Sequence, residues 1–468
     1  MQMKYFYFKM ESWKNKMKNS IKIAFRNTLR NKRRTLLSVL AIAIGGFASL
    51  LIGSFIISIN QGIQTGVARS SGHIHIHKKG FFDFGSADVS SYDMQDYEKT
   101  IKLIKNSSIN KYINIITPTL NISGIAGNYA KNSSGTFVGV GIVAKDHYKM
   151  QFWDGYNLNM PQNKTLENFK KGGLIGKGLA INLNMCEELK IKNCKKAKEK
   201  INKNDIDEDI ADFAIGLDIQ KKATLSLLSA SSSGMPNIVK LQISKVWQQE
   251  NKAMDDRFIA VDLKIAQSLV YGKTKKAIDT INIQLNMPDN IDMVSLKLEQ
   301  FFKQHNLNLE IIKLKTFNPQ VDKVIGMFGV IFGFISIVIA LIAIFTVSNT
   351  MTMSIMERYN EIGTIRSLGL KRSGVRTYFL LEGTILGIFG ASLAVVLAII
   401  TTLIINNIGI MWTPPSSSQP VALVFGLLES PSFIFTIWAF LVSISIVSTL
   451  LPAIRASKMK IVDALRHN

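Results

Sequence analysis

Residues 324–349 read VIGMFGVIFGFISIVIALIAIFTVSN and carry no charged side chain. A bilayer core of ~30 Å is crossed by about 20 helical residues at ~1.5 Å each, so this run is long enough to span. Residues 35–59, 383–405 and 433–451 share the property. The 264 residues between the first and second runs are polar enough to fold in water. The fold class expected is therefore membrane α-helical. It has four transmembrane helices in a 1+3 arrangement, with a large α+β extracytoplasmic domain between helices one and two.

The net charge of +23 and the pI near 9.8 invite a nucleic-acid reading, but the charges are not gathered on one domain. Residues 1–34 carry a net +10 and end in Arg30-Asn31-Lys32-Arg33-Arg34 against the first run. Segment 350–382 holds five basic and three acidic residues, and 452–468 holds four basic and one acidic. The connection 406–432 has the single charge Glu429. The excess of Lys and Arg marks cytoplasmic flanks, so both termini and 350–382 are expected inside. The division is then a cytoplasmic amphipathic segment 1–34, span one 35–59, an extracytoplasmic domain 60–323 of net charge +9 and span two 324–349. There follow a cytoplasmic coupling segment 350–382, span three 383–405, an outer loop 406–432, span four 433–451 and a cytoplasmic tail 452–468. The first run is too long for a signal peptide's apolar stretch, and no A-x-A-like site closes it. The lipid bilayer is a partner, and nucleic acid is not.

Within 18–33, Ile21, Ala24, Phe25, Thr28 and Leu29 recur at helical spacing opposite Lys22, Arg26 and Arg30, which predicts a helix lying on the membrane surface. In the insert, Ser71–His77, Tyr112–Ile116, Asn121–Ile125, Thr136–Ile142, Leu241–Val246, Phe258–Asp262 and Thr280–Leu285 read as strands. Met94–Ser107, Leu263–Val270 and Ile291–His305 read as helices, and two subdomains are compatible with this order. Cys186 and Cys194 precede a basic stretch, Lys190–Lys203, and an acidic one, Asp205–Asp212. A disulfide is permitted outside the cytoplasm, but two thiols make no framework.

Small residues stand at packing intervals in the spans: Gly45 and Gly46, Gly329 and Gly333, Gly383 and Gly387. Such residues let helix backbones approach where lipid supplies no hydrophobic drive. The runs contain no charge, which argues against an ion-coupled transporter. No G-x-x-x-x-G-K-[ST] is present. The strings at Gly176-Lys177-Gly178 and Gly272-Lys273-Thr274 lack the rest of a phosphate loop, so this chain is not expected to be an enzyme. Asp205, Asp207 and Asp209 begin like a calcium loop, but Ile210 and Gly216 stand where Gly and Glu are needed. His73, His75 and His77 alternate on one strand face and form either a row of exposed histidines, the simpler reading, or a metal site.

The richest constellation is Met356–Glu382, MERYNEIGTIRSLGLKRSGVRTYFLLE. Glu357, Arg358 and Glu361 fall at i, i+3 and i+4 spacings that allow pairing on one helical face, with Gly369 as a stop and Lys371–Arg376 as a basic restart. A short helix joined to two spans is a lever able to dock in a partner's groove. An ordinary charged loop is the alternative.

Glu361-Ile-Gly-Thr-Ile-Arg-Ser-Leu-Gly369 followed by Phe379-Leu-Leu-Glu-Gly383 resembles the FtsX/MacB-like ABC permease family, in its lipoprotein-release or macrolide-export types. Ala24–Ser38 with Ala41–Gly45 resembles that family's first helix. Pro452-Ala-Ile-Arg455-Ala and Asp463-Ala464-Leu465-Arg466 resemble its closing motif, with Lys460 where Pro is common. Ser71–Ile74 and Gly173–Ala180 resemble its extracytoplasmic domain. The resemblance implies that Glu357, Arg358, Glu361, Gly363, Arg366 and Gly369 couple to a separate cytoplasmic ABC ATPase dimer. ATP and Mg would be bound by that partner and no cofactor by this chain. It also implies a second permease chain, identical or not, a bacterial cytoplasmic membrane, and a periplasmic carrier or adaptor as a further candidate partner. No fused ATPase is expected, unlike in the macrolide-export type, which favours lipoprotein release. The polar insertion at 187–222 interrupts a stretch that resembles the family's, ahead of Ala223–Ser226. Efflux or peptide export with an adaptor, and membrane regulation of a cell-wall hydrolase, are the alternatives.

Overall fold

The computed structural model describes residues 24–26, 30, 32–84, 91–158, 164–167, 169, 172–191, 194, 223–230, 235–249, 251–272, 275–313, 319–412 and 421–461. Most of 1–34, the charged insertion and Ala464, Leu465 and Arg466 of the closing motif therefore lie outside the described residues, as does the failed calcium loop. The chain divides into two compact units. The first holds 1–60, 323–410 and 423–468, and the second holds 61–322 and 411–422.

Four long helices dominate the first unit: α1 (Lys32–Ser71), α7 (Pro319–Glu357), α9 (Arg372–Ile408) and α10 (Pro431–Lys458). Each contains an apolar stretch long enough to cross a membrane. All four overrun the charge-free runs, because an α-helix continues into water wherever its ends find hydrogen-bond partners. Their shared core joins Ile42 and Leu50 of α1, Val347 and Met351 of α7, Leu386, Ala391 and Ala394 of α9, and Ile437 and Leu441 of α10.

The second unit is built on β-structure. Its strands are β1 (Ile74–Lys78), β2 (Ile113–Asn128), β3 (Ser133–Ile142), β4 (Gly173–Ile175), β5 (Thr224–Ala230), β6 (Pro236–Val246), β7 (Phe258–Asp262), β8 (Thr280–Leu285) and β9 (Leu309–Lys313). The pairing β2–β3–β7–β4–β6–β5 returns to β2, closing a six-stranded barrel. Closure removes the open edges that would otherwise need protection. Ile122, Phe137, Ile175, Leu225, Leu227, Leu241, Ile243, Ile259 and Val261 fill one core with the outer residues alternating. At Gly139 a Cβ would lie 2.2 Å from the Ile259 carbonyl oxygen, so only glycine lets β3 meet β7 there.

The first half of β2, Ile113–Thr119, leaves the barrel and pairs with β8, giving a second sheet ordered β2–β8–β1–β9. Ile74, Ile76, Ile281 and Ile283 line one face. They pack in one core with Tyr97 and Ile104 of α2 (Tyr97–Lys105) and Val294, Leu298 and Phe302 of α6 (Ile291–Gln304). The other face is polar, with His75, Thr117 and Asn282 in register across three strands. This two-part α+β unit matches the sequence order. Asn121–Ile125 and Tyr112–Ile116 prove to be one 16-residue strand, because Pro118 only interrupts the pattern and not the chain's extension. Helices α3 (Ala144–Met150), α4 (Lys177–Asn182) and α5 (Leu263–Tyr271) complete it, and Asp262 caps α5 by accepting from the Lys264 N–H at 3.0 Å. Cys186 and Cys194 are joined in a disulfide.

Candidate functional site

Helix α7 ends at Glu357, and a short helix α8 (Tyr359–Ser367) follows. Gly369 then takes φ +98°, the left-handed conformation that terminates helices. Its N–H bonds the Arg366 carbonyl at 3.1 Å, and Leu370 N–H bonds the Ile365 carbonyl at 3.2 Å. The expected stop at Gly369 is therefore present. Segment 350–382 is helical over most of its length, and the connection outside the long helices is only 358–371.

The inner side of α8 is fixed by packing. Ile362 joins Ile355, Val375, Phe379, Ala453 and Ala456 in a small apolar core, and Gly363 and Pro452 are buried beside it. The charges do not pair with one another as the spacing predicts. The helix breaks at Arg358, whose φ of −107° lies outside helical geometry, so Glu357, Arg358 and Glu361 do not share one face. Arg358 turns inward to the buried carboxylate of Glu382 on α9, at 3.5 Å. Glu357 meets Arg34, and Glu361 meets Arg30 at 3.0 Å. Arg366 donates to the Met459 carbonyl beyond α10, and Arg376 Nε donates to Ser457 Oγ at 3.0 Å. Arg455 of the closing motif is exposed. These contacts tie the segment to α1, α9 and α10.

Outward the segment presents three apolar side chains among polar ones such as Asn360, Glu361, Ser367 and Lys371. Leu368 is 83% exposed, flanked by exposed Ile365 and Leu370. Sequence reasoning singled out the charges and missed Leu368, Arg30, Arg34 and Glu382. Glu382 had a readable signal, since a carboxylate at the edge of an apolar run needs a partner.

The packing glycines divide. A Cβ at Gly46 would lie 2.8 Å from Ala394 Cβ, at Gly45 2.7 Å from Ile339, at Gly383 2.3 Å from Thr449, and at Gly387 2.8 Å from Ser445 Cβ. Gly329 and Gly333 have nothing within 4 Å, so they make no close approach among the described residues.

The histidines are neither exposed nor gathered. His73 Nδ1 accepts from Leu285 N–H at 3.0 Å, His75 Nε2 donates to the Ser71 carbonyl at 3.0 Å, and His77 Nδ1 donates to the Asp279 carbonyl at 3.0 Å. Burial lowers them from 6.5 to about 4, about 3 and about 4, with the neighbouring His77 depressing His75 further. They are neutral structural groups, spaced along a strand, each turned to the backbone. The Gly176-Lys177-Gly178 string also has a structural use. The buried Asp255 carboxylate accepts from Lys177 N–H at 3.2 Å and Gly178 N–H at 2.8 Å, which occupies the donors a phosphate would need.

Four helices long and apolar enough to cross a membrane, with a short tied-down helix between two of them and a folded insert, indicate a membrane protein. Residues 333–461, from mid-α7 through α10, match the family model for the FtsX-like permease C-terminal domain. It is 22% identical over 467 residues to an uncharacterized ABC transporter permease of Methanocaldococcus jannaschii, covering 96% of this chain and 98% of the relative. It is 30% identical over 135 residues to the lipoprotein-releasing system transmembrane protein LolC of Haemophilus influenzae, covering 29% of this chain and only 33% of LolC. The crystal structure of the periplasmic region of MacB from Actinobacillus actinomycetemcomitans is similar at 14% identity. It covers 55% of this chain and 95% of that one with a TM-score of 0.28, too low to argue a shared fold.

Proposed function

We propose that this permease passes ATP-driven motion from a separate cytoplasmic ATPase to its insert domain, which acts on a substrate at the outer face of the membrane. Lipoprotein release is the favoured activity. The observation that carries this reading is the continuity of α1, one helix from Lys32 to Ser71 that begins in the apolar unit and ends in the insert domain. A continuous helix transmits displacement that a flexible linker would absorb. The tied-down α8 with its exposed Leu368 supports a docking role, since apolar anchors ringed by polar groups carry most interface energy. The grouping of residues 411–422 with the insert supports one side of the membrane for both.

The test is to insert six Gly/Ser residues after Asn60, where the chain passes from one unit to the other, in the assembled complex, reconstituted in vesicles with a lipid-modified lipoprotein. ATP hydrolysis is expected to continue while release of the lipoprotein stops. Release that survives the insertion would show that α1 does not carry the motion.

A further inference from the structure

We infer that Gln284, Gln151 and His75 form a joint that locks the end of α1 to the insert domain, and that they are positioning residues for the transfer of motion. The inference rests on the transmission reading above and names where that transmission is made.

The last four carbonyls of any helix lack helical partners and are ordinarily met by water or by the following turn. At the end of α1, three of the last four carbonyls receive side chains from elsewhere in the domain, the Ala68 carbonyl in addition to a helical bond from Gly72 N–H at 3.1 Å. The Ala68 carbonyl accepts from Gln284 Nε2 at 2.9 Å, the Arg69 carbonyl from Gln151 Nε2 at 3.1 Å, and the Ser71 carbonyl from His75 Nε2 at 3.0 Å. The donors come from three places: β8, the segment after α3, and β1. Gln284 is fully buried and its amide is used at both ends. Nε2 donates a second time to the Met150 carbonyl at 3.1 Å, and Oε1 accepts from Asn114 Nδ2 at 2.8 Å. Turning the amide over would set Oε1 against two carbonyl oxygens, so its orientation is fixed.

The helix end is tied in return. Arg69 Nε donates to the Trp153 carbonyl at 2.7 Å, and Trp153 Nε1 donates to the Leu285 carbonyl at 2.8 Å, one residue beyond Gln284. His73 packs its ring edge-on to Trp153 at 4.7 Å and accepts from Leu285 N–H. Gly72, at φ +84°, turns the chain so closely that a Cβ would lie 2.7 Å from the Ile283 carbonyl oxygen. The last turn of α1 therefore cannot slide or rotate against β8 without breaking several buried hydrogen bonds together. Strand β8 sits between β2 and β1, so a displacement delivered there reaches the barrel through β2.

The test uses the complex with its ATPase in nanodiscs, with spin labels at Gly62→Cys on α1 and Met287→Cys after β8. A side chain at 62 meets open space and Met287 is 63% exposed, so both positions accept a label. With the native Gln284, the distance between labels should be the same in the nucleotide-free and the ATP-trapped complex. With Gln284→Met it should shift between those states by several ångström, and the lipoprotein released per ATP should fall at least tenfold. Gln151→Leu removes a single tie and should give the same changes at reduced size, which keeps the test available if Gln284→Met misfolds. A distance that stays fixed in both variants, or a shift with undiminished release, overturns the joint. Failure of the transmission reading is told apart because it leaves release intact after the Gly/Ser insertion, whatever the labels do.

Discussion

Helices α7 and α9 both carry a G-x-x-x-G pair and are both apolar enough to span, yet they are held in opposite ways. In α9, Gly383 and Gly387 receive α10 so closely that Ser445 Oγ bonds the Gly383 carbonyl at 2.7 Å. In α7, Gly329 and Gly333 face nothing, and Val330, Phe334 and Ile337 beside them are mostly exposed. The half of α7 nearer Glu357 is the more buried, through Ala343, Val347, Met351 and Ile355 at four-residue intervals, while in the other half Phe332 reaches the shared core. That end is further fixed by polar contacts: Ser38 Oγ to Thr350 Oγ1 at 2.8 Å, and Arg358 to Glu382. A small-residue motif thus permits close approach without creating it. Something must arrive to fill the space, and at Gly329 and Gly333 nothing among the described residues does.

The largest effect is expected where α7 depends on charge. Arg358→Met strands the buried Glu382 carboxylate and should cost about 3–5 kcal/mol, read as a fall in melting temperature of the detergent-solubilised chain. The double variant with Glu382→Leu should recover most of it. Equal losses in single and double variants would show that the pair does not hold α7 to α9.

Next in size are the glycines. Gly387→Leu drives a side chain into Ser445 and the Val442 backbone and should cost about 1–3 kcal/mol. Gly329→Leu and Gly333→Leu should each stay within about 0.5 kcal/mol in the isolated chain, as surface changes do. Similar losses at all three positions would erase the contrast between the helices.

Acid should then separate the helical unit from the insert domain, where the buried histidines lie. His73, His75, His77 and His147 are all lowered by burial, His147 to about 4. Above pH 6.5 they are neutral folded or unfolded and add no pH dependence. Below it the unfolded chain takes up protons that the folded domain refuses, so stability falls as pH falls towards 4. Each contributes a slope of at most about 1.4 kcal/mol per pH unit, and His75→Gln should remove one such share. Proteolysis between pH 7 and 5 should cut the insert domain before the helices. Cleavage in the helices first would contradict this.

The smallest effect on stability belongs to Glu361. Its pair with Arg30 is exposed on both sides, so Glu361→Lys should cost under about 1 kcal/mol. The same change is a separate probe of docking, as is Leu368→Asp. Recovery of the ATPase on co-purification should fall further for Leu368→Asp than for Glu361→Lys. The reverse order would place the docking energy in the charges.

Much of this architecture was legible. Charge-free runs located the four long helices, and the strands Phe258–Asp262 and Thr280–Leu285 came out at their observed bounds. Strands β4, β5 and β9 were missed because each is short or borders the charged insertion, with little alternation to read. The histidine row was assigned to the correct strand but to an exposed face. The period of two says only that His73, His75 and His77 share a side, not that the end of α1 covers it. The coupling segment was found, with its stop at Gly369, but Glu357, Arg358 and Glu361 were placed on one helical face where pairing is possible, and the chain breaks at Arg358.

The sequence by itself determined where this protein meets lipid, because transfer of an uncharged run into hydrocarbon depends on composition within about 20 residues. It also determined the α+β character of the insert, through local periodicity. Tertiary structure alone decided that six strands close into a barrel, that Glu361 meets Arg30 and Arg358 meets Glu382, and which glycines receive a neighbour. Those outcomes turn on which surfaces arrive from tens to hundreds of residues away, and a local pattern carries no information about what it will face.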